Sequence, residues 1–128
     1  MARGRDRHQA HQQALAGLGR VLSRRAGSSC ELCGEGAGLR PFEVEGGPSE
    51  PDPDWAVLAC ERCREAMGPK GRWSAGELRF LETAVWSDVV PAQLAAVRLA
   101  RRVAEAGEGW ARDTLDGLYL DPSVEELL

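Results

Sequence analysis

Apolar residues recur at helical spacing near both ends of the chain and crowd into short runs in the middle. From about His8 to Arg25, Ala10, Ala14, Leu18, Val21 and Leu22 fall three or four residues apart, which predicts an amphipathic helix weakened by Gly17 and Gly19. Residues 1–7 carry no such period and read as disordered. Leu39–Val44 and Trp55–Cys60 are short and rich in strand formers, so they read as the arms of a hairpin. Between them EGGPSEPDPD, full of Gly, Pro and acid, predicts a long exposed tip. A helix is expected from the second cysteine pair through Ala66, stopped by Gly68-Pro69-Lys70-Gly71.

The remainder reads as helical. Ser74 followed by Glu77 fits a capping box for a helix running to about Val85. Pro91 suits a first helical turn, with Leu94, Val97, Ala100, Val103 and Ala104 behind it. Gly107 and Gly109 interrupt the period before a short helix marked by Trp110, Leu115 and Leu118. Asp121-Pro122 then turns the chain into a last helical turn over Val124–Leu128. The expected fold class is α+β: a small four-cysteine zinc ribbon or treble-clef-like β-hairpin with an N-terminal helix and a C-terminal helical part. The organisation reads as a basic arm and helix over 1–25, a cysteine module over 26–71 and a helical region over 72–128.

Composition adds two constraints. With 128 residues the chain supports one modest core, which a metal staple would reinforce. The net charge of -4 is unevenly spread: residues 1–25 hold six arginines against Asp6 alone, a balance of +5, which leaves -9 for the rest. A basic arm on an acidic body suits contact with nucleic acid through the arm rather than through a broad surface. No apolar run reaches the roughly 18 residues of a membrane span, and the N-terminus has no apolar signal core, so a cytoplasmic, membrane-free address is expected.

The candidate chemistry lies in Cys30-x-x-Cys33 and Cys60-x-x-Cys63, which hold every cysteine of the chain and bracket 26 residues. Nothing points to secretion, which disfavours structural disulfides. Two Cys-x-x-Cys pairs flanking a strand pair fit one tetrahedral metal site better than a redox pair, and Zn2+ is the expected ion. Four thiolates leave no open position for water, so the metal is structural rather than catalytic. The complex would carry a formal charge of -2, which Arg62, Arg64 and the knuckle N–H groups can offset. Gly34 sits where such a knuckle needs positive φ. Trp55, Trp73, Trp86 and Trp110 are expected to pack between the metal module and the helices. Ser87 has no accompanying His in the folded region, and GEGAG lacks the Lys and Ser/Thr of a phosphate loop.

CELCG, a strand, a long acidic loop, an apolar strand and CERCR resemble the zinc-bearing treble clef of HNH endonucleases. Those enzymes carry a His pair on the first strand and often a His after the second cysteine pair. Here the strand reads LRPFEV and Arg64 follows Cys63. His8 and His11 belong to the N-terminal arm, and Glu43 and Glu45 read as solvated carboxylates. The likeness therefore implies a scaffold without the nuclease machinery.

Over about residues 23–121, SRRAGSSCELCG, WAVLACERCREAM, VWSDVVPAQ and GWARDTLDGLYLD resemble the PhnA family of small bacterial zinc-ribbon proteins. That resemblance implies zinc on Cys30, Cys33, Cys60 and Cys63 and no catalytic residues. It also implies a link, by name, to alkylphosphonate utilisation. The leading expectation is a non-catalytic zinc-stabilised binding or adaptor protein with a protein partner. The first alternative is a degenerate nuclease-like module that binds nucleic acid through residues 1–25. The second is an enzyme or accessory protein of phosphonate metabolism.

Overall fold

The computed structural model describes residues 2–74 and 76–128. Among the described residues, seven α-helices accompany a two-stranded antiparallel sheet. The chain opens with α1 (Ala2–Ala16) and α2 (Gly19–Ala26), crosses the first cysteine pair, and forms β1 (Arg40–Glu43). After a loop ending in a 3-10 turn at Pro53–Trp55 come β2 (Ala56–Ala59) and α3 (Glu61–Met67). The C-terminal part is α4 (Leu81–Ala84), α5 (Val90–Glu105), α6 (Gly109–Asp116) and α7 (Pro122–Glu125). The class is α+β, with both predicted strands paired as a hairpin: Arg40 faces Ala59 and Glu43 faces Ala56. Among the described residues no helix is long and apolar enough to cross a membrane.

β2 is buried on both faces, so its sequence AVLA shows no polar alternation. Val57 and Ala59 join one apolar cluster with Leu94, Val97 and Leu99 of α5. Ala56 and Leu58 join a second with Leu15 of α1 and Leu22 of α2. The sheet is thus sandwiched between the N-terminal helices and α5. Helix α5 has nine buried residues, four of them alanines (Ala92, Ala95, Ala96, Ala100), whose small side chains let neighbouring backbones approach. Pro91 lies in its first turn, as its fixed φ favours.

Four expectations need correction. Residues 2–7 are helical rather than disordered, being the first turns of α1. The single N-terminal helix is two, broken at Gly17 and Leu18, where the glycines lower the cost of leaving the helix. Between Ser74 and Phe80 the described residues form turns, and only Leu81–Ala84 is helical; the cap position of α4 is Phe80, with no side-chain bond. The tryptophans divide: Trp55, Trp73 and Trp110 pack against the main core, whereas Trp86 is 50% exposed.

Candidate metal centre

The two knuckles are built by local hydrogen bonds. In the first, Gly34 donates to the Cys30 carbonyl at 2.9 Å and Cys30 donates to the Glu35 carbonyl at 2.8 Å. Gly34 has φ +84°, so glycine relieves the strain that a side chain would bring there. In the second, Cys60 stands at the N-cap of α3 and Arg64 donates to its carbonyl at 2.9 Å.

The hairpin brings these turns together. One Sγ from each of Cys30, Cys33, Cys60 and Cys63 lies within 4.8 Å of the others, with Cys33 and Cys60 3.5 Å apart. All four are free thiols. Three are buried, and Cys33 is the corner nearest solvent. Cys30, Cys60 and Cys63 sit inside the main apolar cluster and Cys33 packs against it, so the centre joins the hairpin to α5 through a common core.

Crowding sets the electrostatics. A hydrogen bond from the Cys63 thiol pulls the Cys30 thiol down to about 4, helped by backbone N–H groups of Leu32, Cys33 and Cys60 and opposed by burial. The same bond, with burial next, pushes Cys63 up. Burial pushes Cys60 up. One thiolate thus forms at its neighbours' expense, because these sulfurs lack enough positive charge to ionise together. A cation held among them would supply that charge.

The surrounding arginines have separate tasks. Bonding to the Cys33 sulfur holds Arg62 still more firmly protonated, and its guanidinium lies 5.3 Å from the centre of the Phe80 ring. Arg64 donates from Nη1 to the carbonyls of Gly38 and Ala59, tying the first knuckle's exit to the end of β2. Arg62 thus faces the sulfurs, whereas Arg64 braces the backbone beside them.

Two further residues of this neighbourhood escape sequence reasoning. Glu31, inside the first knuckle, accepts from Arg25 Nε at 2.8 Å and Nη2 at 2.7 Å. It also accepts from the Leu58 N–H at 2.8 Å, while its own N–H donates to the Leu58 carbonyl at 2.8 Å. Arg25 reaches on to the carbonyls of Pro53 and Ala56. One pair therefore clamps α2, the knuckle and the outer edge of β2. The second surprise is His11, which lies 2.7 Å from Glu43 at the end of β1. The N-terminal arm is thus docked against the hairpin, and Glu43 is a half-buried partner rather than a solvated carboxylate; Glu45 is exposed. Among the described residues, the cysteines alone bring three or more metal-ligating side chains together, so His11, Glu43 and Glu45 do not form a second cluster.

No family model, curated protein or solved structure matches the chain.

Proposed function

We propose that the protein is a non-catalytic binding module of the PhnA type, held together by one structural Zn2+ on Cys30, Cys33, Cys60 and Cys63 in a ribbon or treble-clef-like hairpin. The observation that carries this reading is the convergence of four free thiols within 4.8 Å of one another, three of them buried in the core. A tetrahedron with zinc–sulfur bonds of about 2.3 Å has edges of roughly 3.8 Å, close to the spacing of these sulfurs. Four thiolates fill the shell, so the ion supplies folding energy and no activated water. The residues around it supply hydrogen bonds and positive charge. Function then belongs to the surfaces that the staple organises, in a cytoplasmic setting and toward a protein partner. Elemental analysis tests the metal: about one zinc per wild-type chain and strong loss in Cys60→Ser support the site, and equal substoichiometric zinc in both sinks it. Affinity capture of partners with the intact chain, repeated after zinc removal, tests the module; a partner held equally well by the stripped chain argues against it.

A second reading, nucleic-acid binding through the N-terminal helices, is favoured by a specific contrast. Arg25 is tied to Glu31, whereas Arg5, Arg7, Arg20 and Arg24 are exposed and engage no carboxylate among the described residues. Anisotropy of a labelled duplex tests it. Binding that falls steeply between 50 and 200 mM salt, and is lost when these four residues become glutamine, supports a phosphate-contacting face. Salt-independent binding, or none, removes it.

A further inference from the structure

An open cleft of about 590 Å³ runs between the end of β1, the end of α3 and one side of α5. It shares no lining residue with the cysteine centre or with the basic helices. Its apolar walls include Val44, Met67 and Leu99, and its charged groups include Arg98, Arg102 and Glu45. The size falls in the range of small-molecule sites, which run from about 300 to 1,000 Å³ and combine apolar walls with a few polar groups.

The two arginines set the sign of the ligand. Arg98 and Arg102 are four residues apart on α5, so their side chains leave the same helix face. Neither pairs with a carboxylate among the described residues. Arg98 donates from Nη1 to the Glu45 carbonyl at 2.6 Å and from Nη2 to the Leu127 carbonyl at 3.0 Å. Arg102 donates from Nη1 to the Ala66 and Met67 carbonyls and from Nη2 to that of Gly68. These neutral acceptors fix both guanidinium groups in place without cancelling their charge. A guanidinium has five N–H donors, and here the Nε–H of each takes part in none of these bonds. The cleft also holds the carboxylates of Glu43, which bonds to His11, and of the exposed Glu45, and neither of them pairs with Arg98 or Arg102. Two adjacent guanidinium groups, held in place and paired with no carboxylate, beside an apolar floor suit an anion with an apolar body.

We propose that this cleft binds a small organic anion, its carboxylate or equivalent head group held by Arg98 and Arg102 and its apolar body laid against Val44, Met67 and Leu99. The proposal is independent of what the metal module or the basic helices bind.

The test titrates the full-length, zinc-loaded protein with three matched probes: 2-naphthoate, 2-naphthylmethanol and 2-naphthylmethylammonium. Backbone amide shifts locate binding and calorimetry measures it. A probe of this size at ordinary ligand efficiency binds with a Kd of about 1 mM. The expected result is that naphthoate binds about fivefold or more tighter than either analogue, with shifts centred on Val44, Met67 and Leu99. Arg98→Gln should weaken naphthoate about fivefold or more and leave the alcohol unchanged, and Arg98→Lys should restore part of the loss. A smaller preference for the anion, a preference for the ammonium, no saturation, or shifts centred on the N-terminal arginines would each overturn the proposal. Should Arg98→Gln fail to fold, the charge series on the wild-type chain still decides it.

Discussion

Nε2 of His11 lies 2.7 Å from Oε1 of Glu43, a contact that joins the middle of α1 to the end of β1. Both side chains are about a third exposed, at 32% and 31%. The pair therefore fastens one helix locally and contributes little to global stability. His11→Ala should cost about 0.5–1 kcal/mol, the scale of a partly exposed pair. Amide exchange should quicken across α1 and stay unchanged in α5. A loss above about 3 kcal/mol would mean that α1 is integral to the core.

Arg25 and Glu31 belong to a different regime. Glu31 is only 3% exposed, and removing Arg25 strands a buried carboxylate beside β2. Arg25→Met should cost about 3–5 kcal/mol. The double variant Arg25→Met/Glu31→Leu should recover part of that loss, because no charge remains unpaired. Denaturant melts of the two single variants and the double variant, read as a cycle, check this.

Metal removal should be felt throughout the chain. The cysteines share a cluster with α5, so chelation should lower the stability of the C-terminal helices along with that of the hairpin. The expected loss is roughly 3 kcal/mol or more, the mass-action stabilisation at a few hundred times Kd. Thermal melts followed by helical circular dichroism should shift down with chelator and recover with zinc. An unchanged helical melt would separate the two parts.

Gly71 should tolerate no side chain. Its φ is +54°, and a Cβ there would meet Arg102 Nη2 and the Trp73 ring, which lies under the Arg102 guanidinium at 5.7 Å. Gly71→Ala should cost about 1–3 kcal/mol, combining left-handed strain with collision. Loosened carbonyls at Ala66–Gly68 should appear as shifts at the end of α3.

Acid should act on the C-terminal turn. Asp121 caps α7 by accepting from the Ser123 N–H at 2.9 Å, and bonding to Ser123 holds its carboxyl below the usual range. A carboxyl depressed in the folded state stabilises above its unfolded pKa and loses that contribution as pH falls through the folded value. Carbon secondary shifts over residues 122–128 should therefore collapse toward coil in strong acid. In Asp121→Ala they should be weak, with no step at the carboxyl titration.

The hairpin, α3, α5 and the meeting of the cysteines were legible because each rests on local pattern: strand composition, a proline in a first turn, and paired Cys-x-x-Cys. What escaped depends on contacts distant in sequence. His11 read only as part of the N-terminal arm and helix, because nothing near it announces Glu43, 32 residues away. Glu31 carries no local sign of its role, because its burial comes from α2 folding back over β2. Ser74 and Glu77 matched a helix start, but the helix begins only at Leu81, so a cap pattern without a following apolar period misled. Trp86 shows the reverse, an aromatic residue left half in solvent where composition alone suggests core.

Two hydrogen bonds join Glu31 to Leu58. Both main-chain polar groups of Leu58 are occupied by a residue of the first cysteine knuckle. The knuckle thus does what a third strand would do, closing the rim of a short, wholly apolar β segment. If the ion is lost and the knuckle relaxes, that rim becomes a template for another chain. A zinc ion at the four cysteines would then guard against self-association as well as staple the fold, and light scattering of the stripped protein should rise with concentration where the zinc-loaded protein stays constant.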